Sequence, residues 1–216
     1  GEDITSNAKV FDNIPLKISY QERLVLRGEA LITYEDFEKI NAAIEIESEK
    51  YKNPRNLCSG SVRQLNNRIT KDRHVRFVAF ALISSLSEFD TRQKEMAFLS
   101  GLGFEVVEHR TVNPDNIEDE VKYFAENITT NDFPSDGLVL VYDDIAYGKS
   151  LGRTSKFPRD SMAFKWADEI RKTVLREIEW SPSRTGLINP VAIFEPVELE
   201  GTTVSRASVH NISIME

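Results

Sequence analysis

Apolar and polar positions alternate from Leu24 to Ile32. Leu24, Leu26, Gly28, Ala30 and Ile32 share one face; Val25, Arg27, Glu29 and Leu31 share the other. This period of two predicts a strand that presents Arg27 and Glu29 side by side. The period then changes. Phe37, Ile40 and Ile44 recur at helical spacing and predict a helix through about Lys50, with Thr33 as N-cap and Asp36 at the capping-box position. Asn53-Pro54-Arg55-Asn56 reads as a turn, followed by a Ser/Gly-rich helix start around Ser59-Gly60-Ser61. Phe77 to Ile83 is almost wholly apolar and predicts a buried strand. Asp90 is expected to cap a helix carrying Met96, Leu99 and Leu102, stopped by Gly103. A short strand from Phe104 to Val107, a helix from about Asn116 to Glu126 and a buried strand from Gly137 to Tyr142 follow. Met162 to Ala167 is short and apolar apart from Lys165.

Beyond Thr173 the texture becomes β-like. Thr173–Trp180 and Pro190–Val197 are separated by Ser181-Pro182-Ser183-Arg184-Thr185-Gly186. The pattern predicts an α+β domain over residues 1–171, with strands and helices mixed but not alternating strictly. A second, all-β piece over 172–216 is too short to close by itself. The 216-residue length suits one domain and part of another. The absent initiator Met and the abrupt end at Ile214-Met215-Glu216 are what a fragment of a longer chain would show. No apolar run approaches the roughly 18 residues of a membrane helix, and the acidic start is unlike a signal peptide. Cys58 stands alone, which excludes a disulfide framework or cysteine-based zinc cluster and points to a reducing, cytoplasmic setting.

Charge changes the picture only when it is divided along the chain. The net charge is −8. Lys52–Arg76 nevertheless carries +6 and Lys149–Arg176 carries +5, so the remainder carries −19. Two basic islands on an acidic protein can form an anion-binding face or two solvated surfaces.

Several short motifs, some of them within these islands, each have a plain structural alternative. Arg27-Gly28-Glu29 could hold a ribose hydroxyl or a phosphate, or form a cross-strand ion pair. Asp136, at the mouth of a predicted strand, could ligand Mg2+ or simply belong to an Asp-Gly turn. Lys165 inside an apolar strand should face a cleft or a partner anion, or else snorkel from an edge. Arg55 and Arg63 flank a helix start suited to phosphate. Cys58 reads as a small buried thiol. His74, His109 and His210 show no metal-ligand spacing.

Taken together these motifs resemble the bacterial NAD+-dependent DNA ligases over nearly the whole chain. Gly1 to Asn7 resembles the end of the family's glycine-rich segment after its nucleophile strands. Arg27-Gly28-Glu29 resembles the third nucleotidyltransferase motif, and Asn53 to Leu65 the Asn-Pro-Arg-Asn and Leu-Arg-Gln block. Phe80 lies where the family places an aromatic against adenine. Asp136-Gly137 resembles the fourth motif and Ala163-Phe164-Lys165 the fifth. Gly201 to Asn211, the most specific stretch, is similar to the signature opening the family's oligonucleotide-binding (OB) barrel.

The resemblance implies a nucleotidyltransferase catalytic domain of the ligase and capping-enzyme kind, related to ATP-grasp folds, followed by the first strands of an OB-fold. In the family, a lysine in Lys-x-Asp-Gly attacks the adenylyl phosphorus of NAD+ and releases nicotinamide mononucleotide. AMP then passes to the 5′-phosphate of a nick, and the 3′-hydroxyl displaces it. By similarity, Lys165 contacts the AMP phosphate, Glu29 and Arg27 the ribose side of the pocket, and Phe80 the adenine. Asp136 serves Mg2+ or the nucleotide, and Arg55, Arg63, Arg184 and Arg206 face DNA phosphates. The implied partners are NAD+ and nicked duplex DNA, with no membrane. The implied parent is a monomer in the bacterial cytoplasm near the nucleoid, and zinc is expected only in a downstream domain. Two departures stand out. The chain contains no Lys-x-Asp-Gly, so the fragment is expected to be inactive by itself. The lysine usual five residues after the fourth-motif Asp is here Val141. The alternative is a catalytically dead paralogue that binds nucleotide or nicks.

Overall fold

Two antiparallel ribbons and the helices around them build the first part of the chain. The computed structural model describes residues 1–84, 88–166, 170–199 and 202–209. It divides into two units, Gly1–Trp166 and Ala167–Glu216. The first ribbon pairs β1 (Val25–Leu31) with β2 (Arg76–Ser84). The alternation read from the sequence holds in β1. Leu24, Leu26, Ala30 and Ile32 pack inward, while Arg27 and Glu29 are exposed. The inward face serves two cores. Phe11, Ile32, Leu57, Cys58 and Val75 form one; Ala79, Leu82, Met96 and Leu99 form the other. Phe77 packs against both. It can do so because Gly28 has no side chain. A Cβ there would sit 2.3 Å from Phe77 Cζ and 2.4 Å from the Val78 carbonyl oxygen. The register shifts between Arg27 and Gly28, which leaves Phe80 as the extra residue on β2.

Of helices α1 (Thr5–Ala8), α2 (Tyr34–Ala42), α3 (Pro54–Ser61) and α4 (Asn67–Asp72), α2 packs Phe37 and Ile40, and α3 Leu57 and Cys58, into the first core. Thr33 caps α2 as expected, accepting from the Asp36 backbone N–H at 3.1 Å. The helix is shorter than its apolar period predicts. It ends at Ala42, because the Asn41 side chain reaches the Tyr51 backbone with two 2.8 Å hydrogen bonds and folds the chain back. Glu47–Glu49 is a separate 3-10 turn. The Asn53-Pro54 stretch opens a helix instead of making a turn. Asn53 Oδ1 accepts from Arg55 and Asn56 N–H, and Pro54 occupies the first turn, where its missing N–H costs nothing.

Helix α5 (Arg92–Gly101) packs Met96 and Leu99 on β2. Its cap is Thr91, not Asp90; the Asp90 carboxylate instead pairs with Lys94 at 2.8 Å. Gly103, with φ +93°, follows the helix as predicted. Phe104–Val107 makes no full strand. It meets β2 through a single parallel bridge, with Ala79 N–H donating to Glu105 O and Val107 N–H to Ala79 O, both at 2.8 Å. Helix α6 (Ile117–Asn127) lies within two residues of its expected bounds.

The second ribbon pairs β3 (Gly137–Val141) with β4 (Ser161–Lys165), with α7 (Ile145–Ser150) between them. It is not the buried strand expected from its composition: Val139 is 70% exposed and Met162 66%. The second unit is an antiparallel sheet in the order β5 (Leu175–Pro182), β6 (Ile188–Leu199) and β7 (Thr202–Ser208). A turn with Gly186 at φ +83° joins the first two. Ala167 and, within the signature, Gly201, His210 and Asn211 lie outside the described residues. No described helix is long and apolar enough to cross a membrane.

The packing at Gly28 makes a testable contrast. Gly28→Ala should destabilise the first unit by about 1–3 kcal/mol, the usual cost of overpacking. Gly60→Ala, whose Cβ meets nothing within 4 Å, should stabilise α3 by up to about 1 kcal/mol. Urea unfolding of the two variants checks both signs.

Candidate functional site

Lys165 ends β4, and its Cα partner on β3 is Gly137. The strands approach closely there. A Cβ on Gly137 would lie 2.3 Å from the Phe164 carbonyl oxygen and 2.9 Å from Lys165 Cα. The residue before it, Asp136, accepts a hydrogen bond from Lys165 Nζ at 3.2 Å. Trp166 N–H closes the same end by donating to Asp136 O at 3.3 Å. The ammonium read as an anomaly in an apolar strand therefore has an anion, and both groups stay largely exposed. The hydrogen bond from Lys165 holds the Asp136 carboxyl below the usual carboxylate range; burial opposes this, and the Lys165 and Arg55 charges add to it.

That influence of Arg55 places the start of α3 within electrostatic reach of Asp136. Cys58, one turn further along α3, lies close enough to Glu29 to feel its charge. Burial, with a smaller contribution from Glu29, pushes the thiol up to about 12. A thiol so protonated is no nucleophile at neutral pH. Helix α3 packs Leu57 and Cys58 into the core beneath the first ribbon, while the charge of Arg55 in its first turn favours the ionised Asp136. Phe80 is 46% exposed on β2. It is the extra residue of the register shift, two positions along β2 from Val78, the partner of Glu29. Glu29, Phe80, Arg55, Asp136 and Lys165 all belong to the first unit.

The remaining arginines are placed differently. Arg63 Nε pairs with Glu2 at 3.0 Å, with both side chains exposed. In the second unit Arg206 pairs with Glu179 across the sheet at 2.8 Å, and Arg184 lies exposed in the turn after β5. Val141 is 46% exposed and shares the Gly137/Val139 face of β3. No group of three metal-binding side chains occurs among the described residues. Asp136 as a lone carboxylate fits Mg2+ held mainly by water and phosphate oxygens, and does not fit a cage made of protein alone. Local sequence patterns did not mark Arg92 or Asp160. These residues meet from positions far apart in the chain, just before the start of β4.

The geometry defines an α+β unit with antiparallel ribbons and a mixed-charge site, followed by an antiparallel β unit. A family model for the NAD-dependent DNA ligase adenylation domain matches residues 1–169, and one for the NAD-dependent DNA ligase OB-fold domain matches residues 172–216. The chain belongs to the NAD-dependent DNA ligase family. It is 65% identical to a DNA ligase of Lachnoclostridium phytofermentans and 63% identical to one of Ruminiclostridium cellulolyticum, in each case over 100% of this chain. A DNA ligase of Brachyspira hyodysenteriae is 39% identical over 98% of it. The chain spans about a third of the length of these relatives (33%, 33% and 32%).

The Asp136–Lys165 pair can be tested by titration. Because the folded-state pKa of Asp136 is depressed, the pair contributes above the ordinary carboxylate range and is lost as pH falls through the depressed value. Lys165→Met should raise the Asp136 carboxyl toward its ordinary range, as followed by carboxyl carbon NMR. An unchanged titration would refute the contact.

Proposed function

We propose that this chain is the greater part of the nucleotidyltransferase domain, with the beginning of the OB-fold from about residue 172, of an NAD+-dependent ligase that seals nicks in duplex DNA. The reading rests above all on the Lys165–Asp136 pair at the Gly137 close approach, in a chain of this family. Phe80 stacks on the adenine, for about 1–3 kcal/mol. Glu29 accepts from the ribose hydroxyls, with Arg27 beside it. Lys165 Nζ lies against the adenylyl phosphate and neutralises the charge that grows on its oxygens during in-line transfer. Asp136 holds the ammonium in place before the nucleotide arrives. It also offers an oxygen to a phosphate-bound Mg2+, which would supply further charge neutralisation when present. Arg55 adds positive potential from α3. Arg63, Arg184 and Arg206 meet DNA phosphates, Arg63 and Arg206 giving up exposed ion pairs that salt already screens.

Neither this chain's sequence nor its fold supplies a Lys-x-Asp-Gly nucleophile. The 216-residue polypeptide is therefore not adenylated. Incubation with NAD+ and Mg2+ should leave its intact mass unchanged, and an adduct of one AMP would refute this. In the full-length protein Lys165→Ala should slow nick sealing by about 100-fold or more while leaving the circular dichroism spectrum intact. Near-normal turnover would remove Lys165 from the phosphate.

Val141 favours a second reading, a nucleotide- or nick-binding paralogue without turnover. An apolar side chain stands where the family carries a phosphate-facing lysine, on the same strand face as Gly137. A full-length protein that binds nicked DNA but forms no AMP adduct would decide for it.

A further inference from the structure

The β3–β4 ribbon poses a mechanical problem. It pairs with no third strand among the described residues, and side chains on both its faces are exposed. A two-stranded ribbon is marginal in water. Hairpin register is normally set by a tight turn, and a slip of one residue moves every side chain to the opposite face. Here the strands are joined by the whole 142–160 segment, which includes α7, so no tight turn does this. Something else must keep Lys165 opposite Gly137.

The N-terminus of α5 stands where the turn would be. Arg92 N–H donates to Asp143 O at 2.9 Å, and Gln93 N–H to Asp143 Oδ1 at 2.9 Å. Ile145 N–H donates to Asp90 O at 3.0 Å. These bonds tie down the exit of β3. The Arg92 guanidinium ties down the entry of β4. Nη2 donates to Asp160 Oδ2 at 3.3 Å, while Nη1 donates to Glu95 Oε2 at 3.0 Å. Asp160 immediately precedes β4, and its carbonyl accepts from Tyr142 N–H at 3.0 Å, joining the two strand ends. The cluster is well shielded: the Glu95 side chain is 10% exposed and that of Asp160 14%. Gly148 leaves it room, since a Cβ there would lie 3.1 Å from Asp160 Cβ.

We infer that Arg92 is a positioning residue: by holding Asp143 and Asp160 together it sets the β3–β4 register and so keeps Lys165 on the site face beside Asp136. The inference rests on the ligase reading only for its effect on turnover; the register itself does not depend on that reading. Glu29 and Phe80 lie on the other ribbon, so loss of the clamp should spare nucleotide binding and impair the phosphate chemistry.

The test uses the full-length protein with Asp160→Asn, Arg92→Gln and Arg92→Lys. Asp160→Asn leaves the Arg92–Glu95 pair intact, so it stays informative if Arg92→Gln fails to fold. Amide hydrogen exchange in 138–141 and 162–165 should quicken at least tenfold in Asp160→Asn and Arg92→Gln, with β1–β2 exchange unchanged. The kcat for nick sealing should fall about tenfold or more in both, with KM for NAD+ within twofold, and Arg92→Lys should recover most of it. Unchanged exchange in β3–β4, or equal acceleration in both ribbons, overturns the clamp. A rise in KM with kcat preserved overturns the effect on Lys165. If the parental protein seals no nicks, the ligase reading fails, and hydrogen exchange still decides the clamp.

Discussion

At Gly137 two strands pass too close for any side chain, and the site depends on that approach. With a Cβ at this position the Phe164 carbonyl and the Lys165 backbone would have to move. Without one, Lys165 lies directly across from Gly137 and its ammonium reaches the carboxylate of the preceding residue. The pairing meets two needs. It gives an ammonium in an apolar strand an anion, and it holds that ammonium at the strand mouth, where strand termini and loops can admit a ligand. Because both groups remain exposed, the bond is weak enough for a phosphate to compete for the lysine.

The first ribbon uses a glycine for a different purpose. At Gly28 the space is filled from the core side, by the Phe77 ring, which joins the two apolar clusters beneath the sheet. The register shift at the same point makes room for Phe80 on β2. One glycine thus welds the core and accompanies the irregularity that leaves an aromatic exposed on β2. The other opens the ladder for a lysine. Helix α3 lies on the core side of the first ribbon, where it buries Leu57 and Cys58.

The sequence showed what alternation and chemistry can show. The period of two in β1 placed Arg27 and Glu29 together, Thr33 was read as a cap, and the lone lysine in an apolar strand pointed to a cleft or an anion, with a snorkelling edge as the alternative. It misled where tertiary contacts overrule local pattern. The apolar period beyond Ala42 is real, but the Asn41 amide bonds the Tyr51 backbone and breaks the helix. Asn53-Pro54 has the composition of a turn, yet the same two residues make a good helix start once the core holds Leu57 and Cys58. Apolar composition in β3 implied burial, whereas Val139 faces outward. The Arg92–Asp160 contact joins residues that lie far apart in the chain and carry no shared motif, so no local reading could find it.

Segment charge needs the same correction. The +6 of Lys52–Arg76 counts Arg76, which is bound to Glu105 at 2.6 Å, and Arg63, which is bound to Glu2. The two pairs differ in kind. Arg63 and Glu2 are both more than 60% exposed, so water and salt screen them and little holds the arginine back from a stronger anion. Arg76 and Glu105 are about 40% exposed, and the same Glu105 oxygen accepts from Asn13 Nδ2 at 2.6 Å. That arginine is committed to the fold. Arg55 is different again, because its field already acts on Asp136. The charge available to a phosphate is therefore smaller than the island's sum.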